Sequence, residues 1–199
     1  MAEKGRFRVL VGGVEVGSEE FQISAIGGEW VAQGKAEVRP PGGAATQVNC
    51  RLRLNAEGMP LHYEWSARAE KKASATLEFQ DGAVRAQVQL EGAEPHQQGF
   101  IFPSPRIVVL DNNFYHHYAI LARLYDWKAR GLQTFPVLIP QELTPGSISI
   151  ESVGAQEVKG AKLEILRVKS PDLEIDLYLN GGRMVRITVP SANAEIIRE

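Results

Sequence analysis

His116 and His117 are the residues of this chain whose chemistry stands out first, since an imidazole titrates near neutrality and serves as acid, base or metal ligand. With Asp111 upstream and Asp126 downstream, they offer the parts of a small His/Asp enzyme site at the mouth of a cavity. Adjacent residues on a helix point about 100° apart, however, so the pair is a poorer metal chelate than histidines four residues apart. The plainer reading places His117 beside Leu121 and Leu124 in a core and His116 near Arg123 at a polar edge. Asp126 lies four residues before Arg130 and three after Arg123, the spacing of a helix-surface ion pair. Asp111-Asn112-Asn113 reads as a cap for the first helical turn.

No stretch completes a catalytic motif. The chain has no Gly-x-Ser-x-Gly elbow and no Gly-x-Gly-x-x-Gly turn, and its glycine pairs lack a phosphate-binding lysine. Cys50 is the only cysteine, which excludes an internal disulfide and a multi-cysteine zinc site and reads as a small core residue. The expectation is therefore no catalytic residue, no metal and no cofactor.

The 22 basic and 24 acidic residues are scattered, giving a formal net charge of −2 and no basic stripe to attract nucleic acid. No run of eighteen apolar residues occurs, so no transmembrane helix is expected. The start, Met1-Ala2-Glu3-Lys4-Gly5-Arg6, lacks the apolar stretch of a signal peptide. That start fits a cytoplasmic protein, or a periplasmic or envelope protein whose leader has been removed.

The elements that position these residues are mostly strands. With 44% hydrophobic and 23% charged residues over 199, the composition suits one globular domain spanning residues 1–199. Apolar residues alternate in Val48-Cys50-Leu52-Leu54, in Leu61-Tyr63-Trp65-Ala67 and in Leu173-Ile175-Leu177-Leu179, which puts each set on one face of a pleated strand. Gly12-Gly13, Gly27-Gly28, Gly42-Gly43, Asp81-Gly82 and Gly181-Gly182 separate such runs as turns, the pattern of an antiparallel meander. The apolar parity slips between Val16 and Phe21, which predicts a β-bulge near Gly17-Ser18.

One helix is predicted, from Asn113 to Arg130, with Phe114, Tyr118, Leu121, Ala122, Tyr125 and Ala129 on one stripe and Ile120, Leu124 and Trp127 on a second. A helix apolar on two sides is expected to pack against the concave face of a strongly curved, unclosed sheet. Phe114, Tyr118, Leu121 and Tyr125 would then meet Tyr63 and Trp65 and line a site for a lipid or other apolar molecule. The expectation is a non-enzymatic carrier; the alternatives are the His/Asp enzyme above and an envelope interaction module recruiting a protein partner.

Three segments carry a family resemblance: Val14-Glu15-Val16-Gly17, Gly58-Met59-Pro60-Leu61-His62-Tyr63 and Leu110-Asp111-Asn112-Asn113. In these the chain resembles a family of exported bacterial proteins of unknown function, whose fold is similar to the unclosed barrels of periplasmic lipoprotein-localisation carriers. The resemblance implies a curved sheet with a helix on its concave side, an envelope location and binding of lipid or another apolar molecule. It implies no catalytic residue. The chain departs from it in having neither a leader nor a lipobox cysteine at its start.

Overall fold

The structure, a computed structural model, describes residues 2–39, 42–69, 71–158 and 160–199. Eight strands come first: β1 (Glu3–Val11), β2 (Val14–Ile26), β3 (Glu29–Val38), β4 (Thr46–Leu54), β5 (Pro60–Arg68), β6 (Lys72–Gln80), β7 (Ala83–Leu90) and β8 (His96–Ile101). A short β9 (Val108–Val109) leads to the helix α1 (His116–Leu124). Six strands follow: β10 (Gln133–Ile139), β11 (Thr144–Val158), β12 (Ala161–Lys169), β13 (Glu174–Asn180), β14 (Arg183–Val189) and β15 (Ala194–Arg198).

Among the described residues these strands form one fifteen-stranded sheet. From the edge strand β8 the order runs back through the chain to β1, crosses to β15, and continues down to β9 at the other edge. The sheet is unclosed, since β8 and β9 end it and do not pair with each other. The first and last strands meet in its middle, with Phe7 opposite Arg198.

Local chemistry accounts for the meander. Asp81 and Gly82 both take positive φ (50° and 87°), closing the β6–β7 hairpin in two residues between Gln80 and Ala83. A bulge lies in β2 at Val16, one residue before the expected place: Val9 pairs with Gly17 and Leu10 with Glu15. From there on Gly17, Glu19, Phe21 and Ile23 face inward. A glutamate thus shares the buried parity of β2.

Two expectations need correction. The sheet is not wholly antiparallel, because β9 pairs parallel with β10, Val108 opposite Val137 and Val109 opposite Leu138. Parallel neighbours need a long crossover, and the segment carrying α1 supplies it. The helix is also half as long as the predicted Asn113–Arg130. It stops at Leu124, and Tyr125 is extended (φ −64°, ψ 127°). Asp126 takes the N–H groups of Lys128 and Ala129 on Oδ1 (2.9 and 3.1 Å), which starts a separate turn and competes with helix continuation.

Candidate functional site

The helix meets the sheet at a cluster of buried polar groups. Its first turn is capped from across the fold: Glu19 Oε2 accepts the backbone N–H groups of Tyr115 (2.7 Å) and His116 (3.3 Å). The same carboxyl group bonds His116 Nδ1 through Oε1. Both side chains are fully buried, and the His116 ring stacks on Phe21 at 5.6 Å. Asp111 does not cap the helix as predicted; Oδ1 accepts the N–H of Asn113 (2.9 Å), and Oδ2 accepts the Tyr63 hydroxyl proton.

His117 is buried beside them. Its Nδ1 accepts the Asp111 amide N–H (3.4 Å), its Nε2 lies 3.9 Å from Cys50 Sγ, and its ring stands edge-on to Tyr63 at 5.7 Å. The two imidazole centroids are 4.5 Å apart at an interplanar angle of 76°. Sequence adjacency does not splay these rings apart, because His116 turns back onto β2 and His117 onto β4. The expected polar-edge position of His116 beside Arg123 is therefore incorrect; its neighbour is Glu19.

Burial sets the electrostatics. Desolvation raises the Glu19 carboxyl from 4.5 to about 8, against the lowering effect of its two backbone hydrogen bonds. It lowers His116 from 6.5 to about 3 and pushes His117 well below its ordinary value. Asp111 rises to about 6, again chiefly by burial, and the Cys50 thiol rises well above its usual range for the same reason. At neutral pH burial keeps Glu19, Cys50 and both imidazoles uncharged, while Asp111, at about 6, is largely ionised.

One residue lets the helix sit this close. Gly34 of β3 lies opposite both Phe21 and Cys50, and a Cβ there would come within 2.6 Å of Phe114 Cδ1 and 2.9 Å of His116 Cε1. Glycine is needed here for space rather than for its φ.

The last turn of the helix is held by ions. Arg123 and Arg198 both pair with Glu3, whose side chain is almost fully buried. The Arg198 guanidinium also lies over the rings of Phe7 and Phe21 at 5.8 and 5.1 Å. The free carbonyls of Ala122 and Leu124 are taken by Trp127 Nε1 (3.3 Å) and Arg106 (3.2 Å). Tyr125 reaches the opposite half of the sheet, donating to the Gly131 carbonyl (2.9 Å) and accepting the N–H of Ser152 (3.2 Å) at a β11 bulge.

Of the residues expected to face an apolar ligand, Tyr63, Phe114, Leu121 and Tyr125 are buried in the core, while Trp65 and Tyr118 are partly buried against it. Tyr63 meets His117 of α1 edge-on, and Phe114, Tyr118, Leu121 and Tyr125 belong to the helix and its flanks. Two surface hollows, of about 590 and 640 Å³, lie elsewhere, over strand positions such as Gln47, Asn49 and Arg68 or Lys4, Glu20 and Gln33, and no helix residue lines them. The expected pairing of histidine with Asp111 or Asp126 is replaced by His116 with Glu19, closed off from solvent, while Asp126 sits exposed in its own turn. Glu19 was legible in principle from its shared parity with Phe21 and Ile23, two and four residues on.

No known protein-family profile matches the chain, and no curated protein matches it significantly. Its fold is that of a β-barrel-like protein. Among solved structures it is similar to the crystal structure of a β-barrel-like protein of a domain of unknown function, DUF1849, from Brucella abortus, at a TM-score of 0.61 and 8% identity. The match covers 100% of this chain and 95% of that one, and at this identity it speaks to the fold alone.

Proposed function

We propose that the protein is a non-enzymatic binding protein that takes a lipid or other apolar molecule between a strongly curled sheet and the helix pressed on its concave face. The observation that carries this reading is the reach of the helix segment. It touches β5 through Tyr63 and β11 through Ser152. Those strands are nine inter-strand steps apart in the sheet, roughly 43 Å if it were flat, whereas nine helical residues span about 13 Å. Curling resolves the mismatch.

In this reading Phe114, Leu121 and Tyr125 fill the ligand's place in the free protein, and loading swings the helix segment outward. The unpaired edges β8 and β9 leave the sheet free to widen as it does so. Trp65 Nε1, buried and without a hydrogen-bond partner, is a donor for the polar end of such a ligand. Burial contributes roughly 25 cal/mol per Å² of apolar area before association costs. A lipid cargo also fits a periplasmic or envelope location, where it must cross water.

Native mass spectrometry of the protein after incubation with a total bacterial lipid extract tests the reading. A retained species at one per chain, weakened by Trp65→Phe, is the expected result. Recovery of the bare chain alone, at every lipid excess tried, would overturn it.

A further inference from the structure

We propose that Cys50, His116 and His117 form a binding site for a thiophilic metal ion of the zinc class, held between β4 and the first turn of α1. Cys50 Sγ and one ring nitrogen of each histidine all lie within 4.8 Å of one another. Zinc–sulfur and zinc–nitrogen bonds of about 2.3 and 2.0–2.1 Å set tetrahedral ligand separations of roughly 3.3–3.6 Å. The Cys50–His117 separation of 3.9 Å is already near that range, and the widest of the three must close by no more than roughly 1.5 Å, a side-chain adjustment.

Three further observations point to a cation. His116 Nε2 is fully buried and has no hydrogen-bond partner, a costly state for a polar atom that ligation would relieve. Its other nitrogen is held by Glu19, the arrangement that orients histidines on metals, with the carboxyl group itself fixed by two backbone N–H groups. Glu19 and Asp111 are both buried next to the thiol, and among the described residues neither forms an ion pair with a lysine or arginine. A divalent ion would place a positive charge beside these two carboxyl groups and favour their ionised forms. Nitrogen with thiolate sulfur is the donor set that zinc accepts well and magnesium or calcium does not.

Binding exchanges the Cys50 thiol proton for a metal–sulfur bond, the proton leaving to solvent. It also has a local cost. The Asp111 amide donates to His117 Nδ1, so Nε2 carries the ring proton in the metal-free protein. Ligation through Nε2 moves that proton to Nδ1 and gives up a 3.4 Å hydrogen bond. Glu19 is a positioning residue in this scheme, and Cys50 and the two histidines are the ligands.

The proposal is independent of the lipid reading and is tested on the full chain, unfolded with chelator and refolded with Co²⁺ or Zn²⁺ to bypass the closed approach. Stoichiometric cobalt with an intense tetrahedral visible spectrum and a near-ultraviolet thiolate-to-cobalt band is expected. Cys50→Ala should abolish the band, and Glu19→Gln should weaken binding by about 10–100-fold. Circular dichroism checks that each variant folds, and His117→Gln serves as the second ligand variant should Cys50→Ala fail to. Cobalt bound without the thiolate band, or unaffected by Cys50→Ala, would assign the ion to surface groups such as His62 with Glu64 and Glu78 and overturn the proposal. So would the absence of stoichiometric metal in the refolded wild-type chain.

Discussion

The two ends of one nine-residue helix are anchored by opposite chemistry. At its start, Glu19, His116, His117 and Cys50 are buried together as neutral groups beside Asp111 and Tyr63, in a hydrogen-bond network that leaves His116 Nε2 without a partner. At its end, Glu3 pairs with Arg123 from the helix and Arg198 from β15, and Arg183 of β14 lies 3.8 Å from the same carboxylate. Arginine stays charged at any working pH, so the ionic end must keep its counter-charge. The other, largely neutral end has no such cation among the described residues, and Glu19 keeps its proton instead. A short helix without a side-chain cap of its own can be held by either device, but only the neutral one leaves donor atoms free for something else.

Breaking the ionic end should have the largest effect. Glu3→Ala leaves Arg198, almost fully buried, without its carboxylate, and a loss of about 3–5 kcal/mol in urea unfolding is expected. At the neutral end the sensitive position is Gly34. Gly34→Ala puts a Cβ against Phe114 and His116, with an expected loss of about 1–3 kcal/mol and a near-ultraviolet circular dichroism change from the displaced aromatics.

The ends should also differ in pH response. Folded Glu19 holds its proton to about pH 8, whereas the unfolded chain releases it near 4.5, so folding binds a proton across that interval and stability falls as pH rises through it. His116 acts oppositely: it stays neutral down to about pH 3 when folded but gains a proton near 6.5 when unfolded, so its contribution is lost as pH falls below 6.5. Between pH 6.5 and 8 the Glu19 effect stands clear of that of His116. Thermal unfolding should show stability declining there in the wild type and a flatter profile in Glu19→Gln. The smallest effect is expected at Tyr125→Phe, which removes a hydroxyl bonded to Gly131 and Ser152 at a cost of about 1 kcal/mol.

Much of this was written in local patterns. Alternation in Val48-Cys50-Leu52-Leu54 and the Asp81-Gly82 turn prescribe strands and a hairpin, because period and positive φ are properties of short segments. The stripe of Phe114, Tyr118 and Leu121 likewise announces a helix. What stayed hidden depends on partners distant in sequence. Asp126 looked like one member of a surface ion pair and instead starts a new turn that ends the helix. No local pattern singles out Glu19 as a partner of the helix; a bulge at Val16 turns it inward so that it bonds the backbone of a helix start 96 residues away. Spacing along one helix likewise says nothing of a third group, Cys50, which β4 brings within 4.8 Å of a ring nitrogen of each histidine.

Hydrogen exchange read by mass spectrometry tests most directly the proposal that an apolar molecule lodges beneath the helix. With a long-chain fatty acid in excess, amide protection should change in α1 and in the facing β4 and β5, while β7 and β8 keep theirs. Bound fatty acid with no change in α1, or with changes confined to β7 and β8, would contradict the account.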